Sequence, residues 1–202
     1  FAEKRGYQVI GISDKYGATY NPQGLDIAKL AHYARRERPM TVKGFPDGVS
    51  MTPDELLLQP CDILAPCALE NRITKDNADK VSAKILAEGA NGPTTHEAAL
   101  ILKDRNILVL PDILMNSGGL VVSFFEYGLN INLSDPRIPR RNNRDCVLKY
   151  LTRMLRLACE EVVARSKIHK IDLPLAAFVL GLEKAELLRA RRNPEYAAKV
   201  FL

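Results

Sequence analysis

Four short apolar runs, each closed by small or amide-bearing residues, constrain this chain more than any other feature. They are Gln8–Asp14, Cys61–Pro66, Lys84–Ala90 and Ile107–Pro111. Each is nearly continuous in Val, Ile, Leu and Ala, the pattern of parallel strands covered on both faces. The third run is the most telling. Its apolar stretch Ile85 to Ala87 breaks into Gly89-Ala90-Asn91-Gly92-Pro93, and Thr94 and Glu97 then stand at capping-box spacing. A strand that ends in small residues plus one amide, and turns at once into a helix, lets a ligand approach the backbone closely.

Helical patterns fall between the runs. Gly24–Arg36 carries apolar Leu25, Ala28, Leu30, Ala31 and Ala34, and Thr52-Pro53-Asp54-Glu55 is a second capping box opening a helix to Leu58. Thr74–Ala83 is short and polar, and Thr94–Asp104 carries Ala98, Leu100 and Ile101. This alternation predicts the α/β class: a Rossmann-like, doubly wound, mostly parallel sheet with C-terminal helices, the alternative being an antiparallel α+β sheet. From Gly118 the period lengthens. A helix is expected over Gly119–Leu129, a Pro- and Arg-rich loop over 133–143, and amphipathic helix through Asp145–Ser166. A final helical pair opens at Asp172 as cap, and Tyr196 and Phe201 suggest a docked terminal helix. Phe1 to Gly6 reads as the last turn of a helix capped by Gly6, so the chain is expected to be a fragment.

With 202 residues, 47% of them hydrophobic, the chain can bury the core of one domain or a little more. It has no apolar run of membrane-spanning length. Cys61, Cys67, Cys146 and Cys159 form no CxxC pair and meet no histidine cluster, so no metal site is expected and the thiols read as reduced, intracellular and packed. The net charge of +5 comes largely from Arg137, Arg140, Arg141 and Arg144 in one expected loop and from Arg189, Arg191 and Arg192 in another. Without interleaved aromatics these read as solvated faces, with nucleic-acid binding as the rival class.

In an open parallel sheet, ligands sit beyond the carboxyl ends of the strands. The first run ends in Asp14, an acceptor for adenosine ribose hydroxyls or the head of an Asx turn into Tyr16-Gly17, while Lys15 would suit a 2′-phosphate. The second ends in Cys67 and Ala68, small enough for a cofactor to lie against the backbone; with no His near it in sequence, Cys67 reads as contact and not nucleophile. The third ends in Asn91. The fourth ends in Pro111-Asp112, followed by Asn116-Ser117-Gly118-Gly119 and a helix start suited to an anion or a carboxamide. Ser123, one turn on, either bonds its own helix or faces the cleft.

Lys84–Ala98, Val109–Asp112, Asn116-Ser117-Gly118-Gly119-Leu120 and Ser123-Phe124-Phe125-Glu126-Tyr127 together resemble the Glu/Leu/Phe/Val dehydrogenase family, above all its glutamate-acting branch. Ser13-Asp14, Tyr20–Asp26 and Ala177–Gly181 extend the likeness over nearly the whole chain. The resemblance implies that Asp14, Cys67, Ala68, Asn91 and Asn116 bind NAD or NADP, with both asparagines at the nicotinamide half. It implies that Leu120 and Ser123 meet the substrate, Ser123 at the side-chain carboxylate of glutamate. Residues 1–132 would then be a partial dinucleotide-binding domain without its first strand and glycine-rich loop, and 133–202 a helical segment packing on it. The implied whole enzyme converts L-glutamate reversibly to 2-oxoglutarate and ammonia, works as a homo-oligomer (a hexamer), and keeps its proton-transferring lysine and aspartate outside these residues. The isolated chain is expected to be inactive. Ser117, Leu120 and His96 depart from the usual family residues. A nucleotide-binding or regulatory relative without the chemistry is the alternative, and the compartment, cytoplasm or mitochondrial matrix, stays open.

Overall fold

Two three-stranded sheets carry the architecture. In the computed structural model, which describes residues 2–135, 137–139 and 143–192, β1 (Gly11–Asp14), β2 (Gly17–Tyr20) and β3 (Val49–Met51) form an antiparallel sheet in that order. The strands β4 (Cys61–Leu64), β5 (Ala83–Ala87) and β6 (Leu108–Leu110) form a parallel sheet, so the α/β, Rossmann-like class holds. The first apolar run is thus not one of the parallel strands. It folds back on β2 through Lys15 and Tyr16, with Asp14 opposite Gly17. Neither loop residue has a positive φ, so this hairpin lacks the mirror-image turn that two-residue loops favour. The Asp14 carboxylate compensates: Oδ1 accepts from the Tyr16 N–H at 2.8 Å and the Gly17 N–H at 3.2 Å.

The chain divides into two compact units, one of Phe1–Leu64, Ile73–Ile85 and Thr94–Ile107, the other of Ala65–Arg72, Leu86–Pro93 and Leu108–Leu202. In the first, a 3-10 turn at Glu3–Arg5 ends on left-handed Gly6, φ +82, as the opening residues predict. Helix α1 (Ile27–Arg36) starts at Asp26, whose carboxylate accepts from the Lys29 N–H at 2.9 Å. Its Leu30 packs with Leu25 and Phe45, bordered by Ile12, Ile27, Tyr33 and Val42. Tyr33 meets Phe45 edge-on at 5.5 Å and donates its hydroxyl to the Lys43 carbonyl. Helix α2 (Pro53–Leu57) has the full capping box: Thr52 N–H to Glu55 Oε2 at 2.7 Å, and Glu55 N–H to Thr52 Oγ1 at 3.2 Å.

Thr74–Ala83 contains one 3-10 turn, Ala78–Lys80, whose backbone the Arg105 guanidinium binds at the Ala78 and Val81 carbonyls, both at 2.7 Å. Helix α3 (His96–Asp104) starts one residue later than the sequence suggests. Thr95, not Thr94, is the cap and accepts from the Ala98 N–H. The Thr94 hydroxyl is buried without a hydrogen-bond partner among the described residues.

The second unit adds a short helix the periodicity missed, α4 (Asp112–Met115), then α5 (Gly118–Asn130), α6 (Arg144–His169) and α7 (Leu173–Arg192). Asn143 caps α6, and Lys170, left-handed at φ +54, ends it. Asp172 accepts from the Leu175 N–H at 3.0 Å, the cap predicted for α7. The first helix of the expected final pair runs unbroken through Arg192, so Arg189, Arg191 and Arg192 lie on a helix and not in a loop; a second helix with Tyr196 and Phe201 falls outside the described residues. Val162, Ala176 and Ala177 form the core between α6 and α7, and Arg165–Glu183 at 2.5 Å and Lys184–Glu161 cross it as ion pairs. Phe125, 1% exposed, anchors α5 against Tyr150 of α6. Among the described residues no helix is long and apolar enough to cross a membrane.

Gly48 is small because of Thr19. A Cβ at Gly48 would stand 2.2 Å from the Thr19 hydroxyl oxygen, which is fully buried and has no hydrogen-bond partner among the described residues. Gly48→Ala is expected to lower unfolding stability by about 1–3 kcal/mol. Adding Thr19→Ala should recover most of that loss in urea denaturation, since it removes the obstructing atom.

Candidate functional site

The residues that follow β4, β5 and β6 belong to the second unit. Pro66 is buried, and its carbonyl accepts from the amides of Gly89 at 3.0 Å and Ala90 at 2.9 Å. Cys67 and Ala68 lie just beyond it and are exposed. A Cβ on Gly89 would come within 2.6 Å of the Cys67 sulfur, so a larger residue at this strand end would require the exposed Cys67 side chain to turn away. All four cysteines are free, yet Cys67 and Cys159 are exposed, which corrects the expectation that all are packed. Cys159 occupies a solvated position on α6.

Two carboxylates organise the strand ends. Glu88, 8% exposed, donates its N–H to the Leu110 carbonyl and accepts the Asp112 N–H on Oε2 at 3.1 Å. Asp112 accepts the Gly92 N–H on Oδ2 at 2.8 Å and the Ile113 N–H on Oδ1 at 2.6 Å. Gly92 is left-handed, φ +53, and its carbonyl accepts from the Asn71 N–H. The strand-end amides named from sequence then meet: Asn116 Nδ2 donates to Asn91 Oδ1 at 2.6 Å. Among the described residues this leaves the Asn91 amide donors and the Asn116 carbonyl oxygen without side-chain partners. Sequence reasoning gave Glu88 and Asp112 no role. The available signal was an acid directly after the buried run Leu86–Ala87, where a charge must be hydrogen-bonded.

Ser117 does not cap α5; its hydroxyl donates to the Leu114 carbonyl at 2.8 Å. Gly119 has nothing within 4 Å of where a Cβ would stand, so the start of α5 is open on that side. Leu120 is 75% exposed. Ser123 is also exposed, and its hydroxyl donates to the Gly119 carbonyl at 3.0 Å, so of the two readings of this serine the helix bond is realised. The Arg137 guanidinium is held by Asp135, pulling that carboxyl down to about 2, and lies over Phe124 at 5.4 Å. Arg140 and Arg141 are outside the described residues.

Asp14 lies in the first unit, half-buried, and realises the Asx turn. Oδ1 also accepts from the Thr41 hydroxyl at 3.1 Å, and Oδ2 from the Val42 N–H at 2.7 Å, which ties the hairpin to the loop after α1. Desolvation raises the Asp14 carboxyl, but the bonds from Tyr16, Val42, Thr41 and Gly17 outweigh it and leave the pKa below its ordinary 3.8.

An open parallel sheet flanked by helices, with its small and amide-bearing residues gathered past the strand ends, defines a Rossmann-type α/β protein. The comparisons go further. The sequence profile of the Glutamate/Leucine/Phenylalanine/Valine dehydrogenase family matches residues 1–192, and the chain belongs to that family. It is 37% identical over 192 residues to a glutamate dehydrogenase of Thermotoga maritima, covering 95% of this chain and 44% of that protein. It is 41% identical over 196 residues to a cryptic catabolic NAD-specific glutamate dehydrogenase of Bacillus subtilis, covering 95% of this chain and 43% of that one. A solved structure of the hetero-hexameric glutamate dehydrogenase from Thermus thermophilus, in its Leu-bound form, superposes with a TM-score of 0.76 at 27% identity, covering 91% and 41% of the two chains. The chain spans less than half the length of these relatives.

Because the folded Asp14 carboxyl titrates below its unfolded value, its stabilisation is present above about pH 3.9 and is lost as pH falls through the lower, folded pKa. Asp14→Asn is therefore expected to be less stable than the parent at pH 6, with the gap closing below pH 4. Denaturant midpoints measured from pH 2 to pH 6 check this.

Proposed function

We propose that this chain is the cofactor-binding portion of an NAD(P)-dependent enzyme that oxidatively deaminates L-glutamate to 2-oxoglutarate and ammonia. The observation that carries the reading is the Asn91–Asn116 pair, whose mutual bond uses one acceptor and one donor hydrogen and leaves the Asn91 NH2 and the Asn116 carbonyl oxygen for a ligand. That remainder is complementary to a primary carboxamide, the group that distinguishes nicotinamide from other aromatic rings. Cys67 and Ala68, small and exposed, leave room for the cofactor to lie along the strand end. Asp14 would take a ribose hydroxyl through Oδ2, which accepts one bond in the structure where Oδ1 accepts three.

When bound, the dinucleotide supplies the hydride acceptor. The part of the chain described here orients it and supports the substrate: Ser123 is assigned to the distal carboxylate of glutamate, its one hydroxyl proton turning there from the Gly119 carbonyl, and Leu120 to the pocket beside it, both being exposed on α5. Residues 1–132 serve as the dinucleotide-binding part and 133–202 as the helical segment. Among the relatives the word "NAD-specific" recurs, which supports NAD over NADP here; the hetero-hexameric neighbour supports a hexamer. The lysine and aspartate that move protons in the implied reaction come from outside this sequence.

The full-length protein should reduce NAD in a glutamate-dependent way, and residues 1–202 alone should not. Ser123→Ala in the full-length protein is expected to raise KM for glutamate about tenfold or more, the worth of a lost hydrogen bond to a charged group. Unchanged glutamate kinetics in that variant would remove Ser123 from the site. Failure of the full-length protein to bind either dinucleotide would remove the reading as a whole.

A further inference from the structure

We propose that Asp112, seated on the buried carboxylate of Glu88, is the positioning residue that holds Asn91 and Asn116 in register; this rests on the cofactor-binding reading. Four bonds converge on this one residue. Its N–H goes to Glu88 Oε2 at 3.1 Å, its carboxylate takes the Gly92 N–H at 2.8 Å and the Ile113 N–H at 2.6 Å, and its carbonyl takes the Asn116 N–H at 2.9 Å. Asp112 is therefore not a simple helix cap. Pro111 occupies the cap position of α4, and the Asp112 carboxylate spends one oxygen on a segment twenty residues earlier in the chain.

The consequence for Asn91 is direct. The amide before it, Ala90, is fixed to the Pro66 carbonyl, and the amide after it, Gly92, is fixed to Asp112. Asn116 hangs from the same residue through its own N–H. Both halves of the 2.6 Å amide pair are thus within one peptide of bonds that Asp112 makes. Glu88 explains why Asp112 stays put. The carboxylate of a residue only 8% exposed is tolerable when hydrogen-bonded, and one bond it accepts comes from the backbone of Asp112 itself. A carboxylate accepting neutral N–H groups forms shorter and stronger bonds than a carbonyl would.

The test uses the full-length protein with Asp112→Asn, which keeps the shape but sets an NH2 where an acceptor stood. Asp112→Ser, well accepted at a helix start and too short to reach Gly92, is the second variant should the first fail to fold. Amide hydrogen exchange at Gly92 should quicken about tenfold or more in either variant, while Gly89, held by Pro66, keeps its rate. Affinity for NAD should fall about tenfold to a hundredfold. In a double-mutant cycle, Asn91→Ala should add little to the loss already caused at Asp112, since both act on one pair. A fully additive cycle, as a general loss of structure would give, overturns the proposal. So does wild-type affinity in the Asp112 variants. If the unaltered protein takes up neither NAD nor NADP, the cofactor reading fails first and the inference with it.

Discussion

The amides of Gly89 and Ala90 converge on a single acceptor, the carbonyl of Pro66. Everything at the strand ends depends on this pinch. It brings the segment after β5 onto the segment after β4, and it seats Gly89 against the Cys67 side chain, whose sulfur stands where a Cβ would project. With that approach fixed, Ala90 and Gly92 are both tethered and Asn91 between them has little backbone freedom. The bond from Asn116 then meets a partner already in place. Small residues and one amide at the end of an apolar run are in this sense a packing requirement first and a binding signature second.

Features whose two halves lie close in sequence were readable from it. The Thr52–Glu55 capping box and the Asp172 cap appear as expected because donor and acceptor are three residues apart. The start of α3 was misplaced by one residue for a related reason: Thr94 and Thr95 offer the same hydroxyl, and only the fold decides that Thr95 reaches the Ala98 amide while Thr94 is buried. The antiparallel sheet was not readable. Gly17-Ala18-Thr19-Tyr20 carries no long apolar run, and its turn, Lys15-Tyr16, lacks the Asn-Gly chemistry that announces a hairpin. The stabilising contacts come from Thr41 and Val42, more than twenty-five residues away.

The candidate site divides the same way. Asn91 and Asn116 could be named individually, since each follows an apolar run, but their mutual bond spans twenty-five positions and no local pattern encodes it. Glu88 and Asp112 were visible as acids next to strands, yet their partners are backbone amides, which look alike in every sequence. Leu120 and Ser123 are legible as positions on α5, while their exposure is a property of the fold alone.

The crossed ion pairs between α6 and α7 have a consequence for assembly. On α6 an anion, Glu161, stands one turn before a cation, Arg165; on α7 the acid Glu183 is followed at once by the base Lys184. Each pair is partly exposed and contributes little strength by itself. Sliding α7 by one helical turn, however, would set Glu183 against Glu161 and exchange attraction for repulsion. The seam of Val162, Ala176 and Ala177, bordered by Ile171, Leu173 and Leu180, and the short connection from His169 to Leu173 hold the same register. The charges act as a vernier on that alignment, penalising a one-turn displacement that greasy contacts resist only through shape.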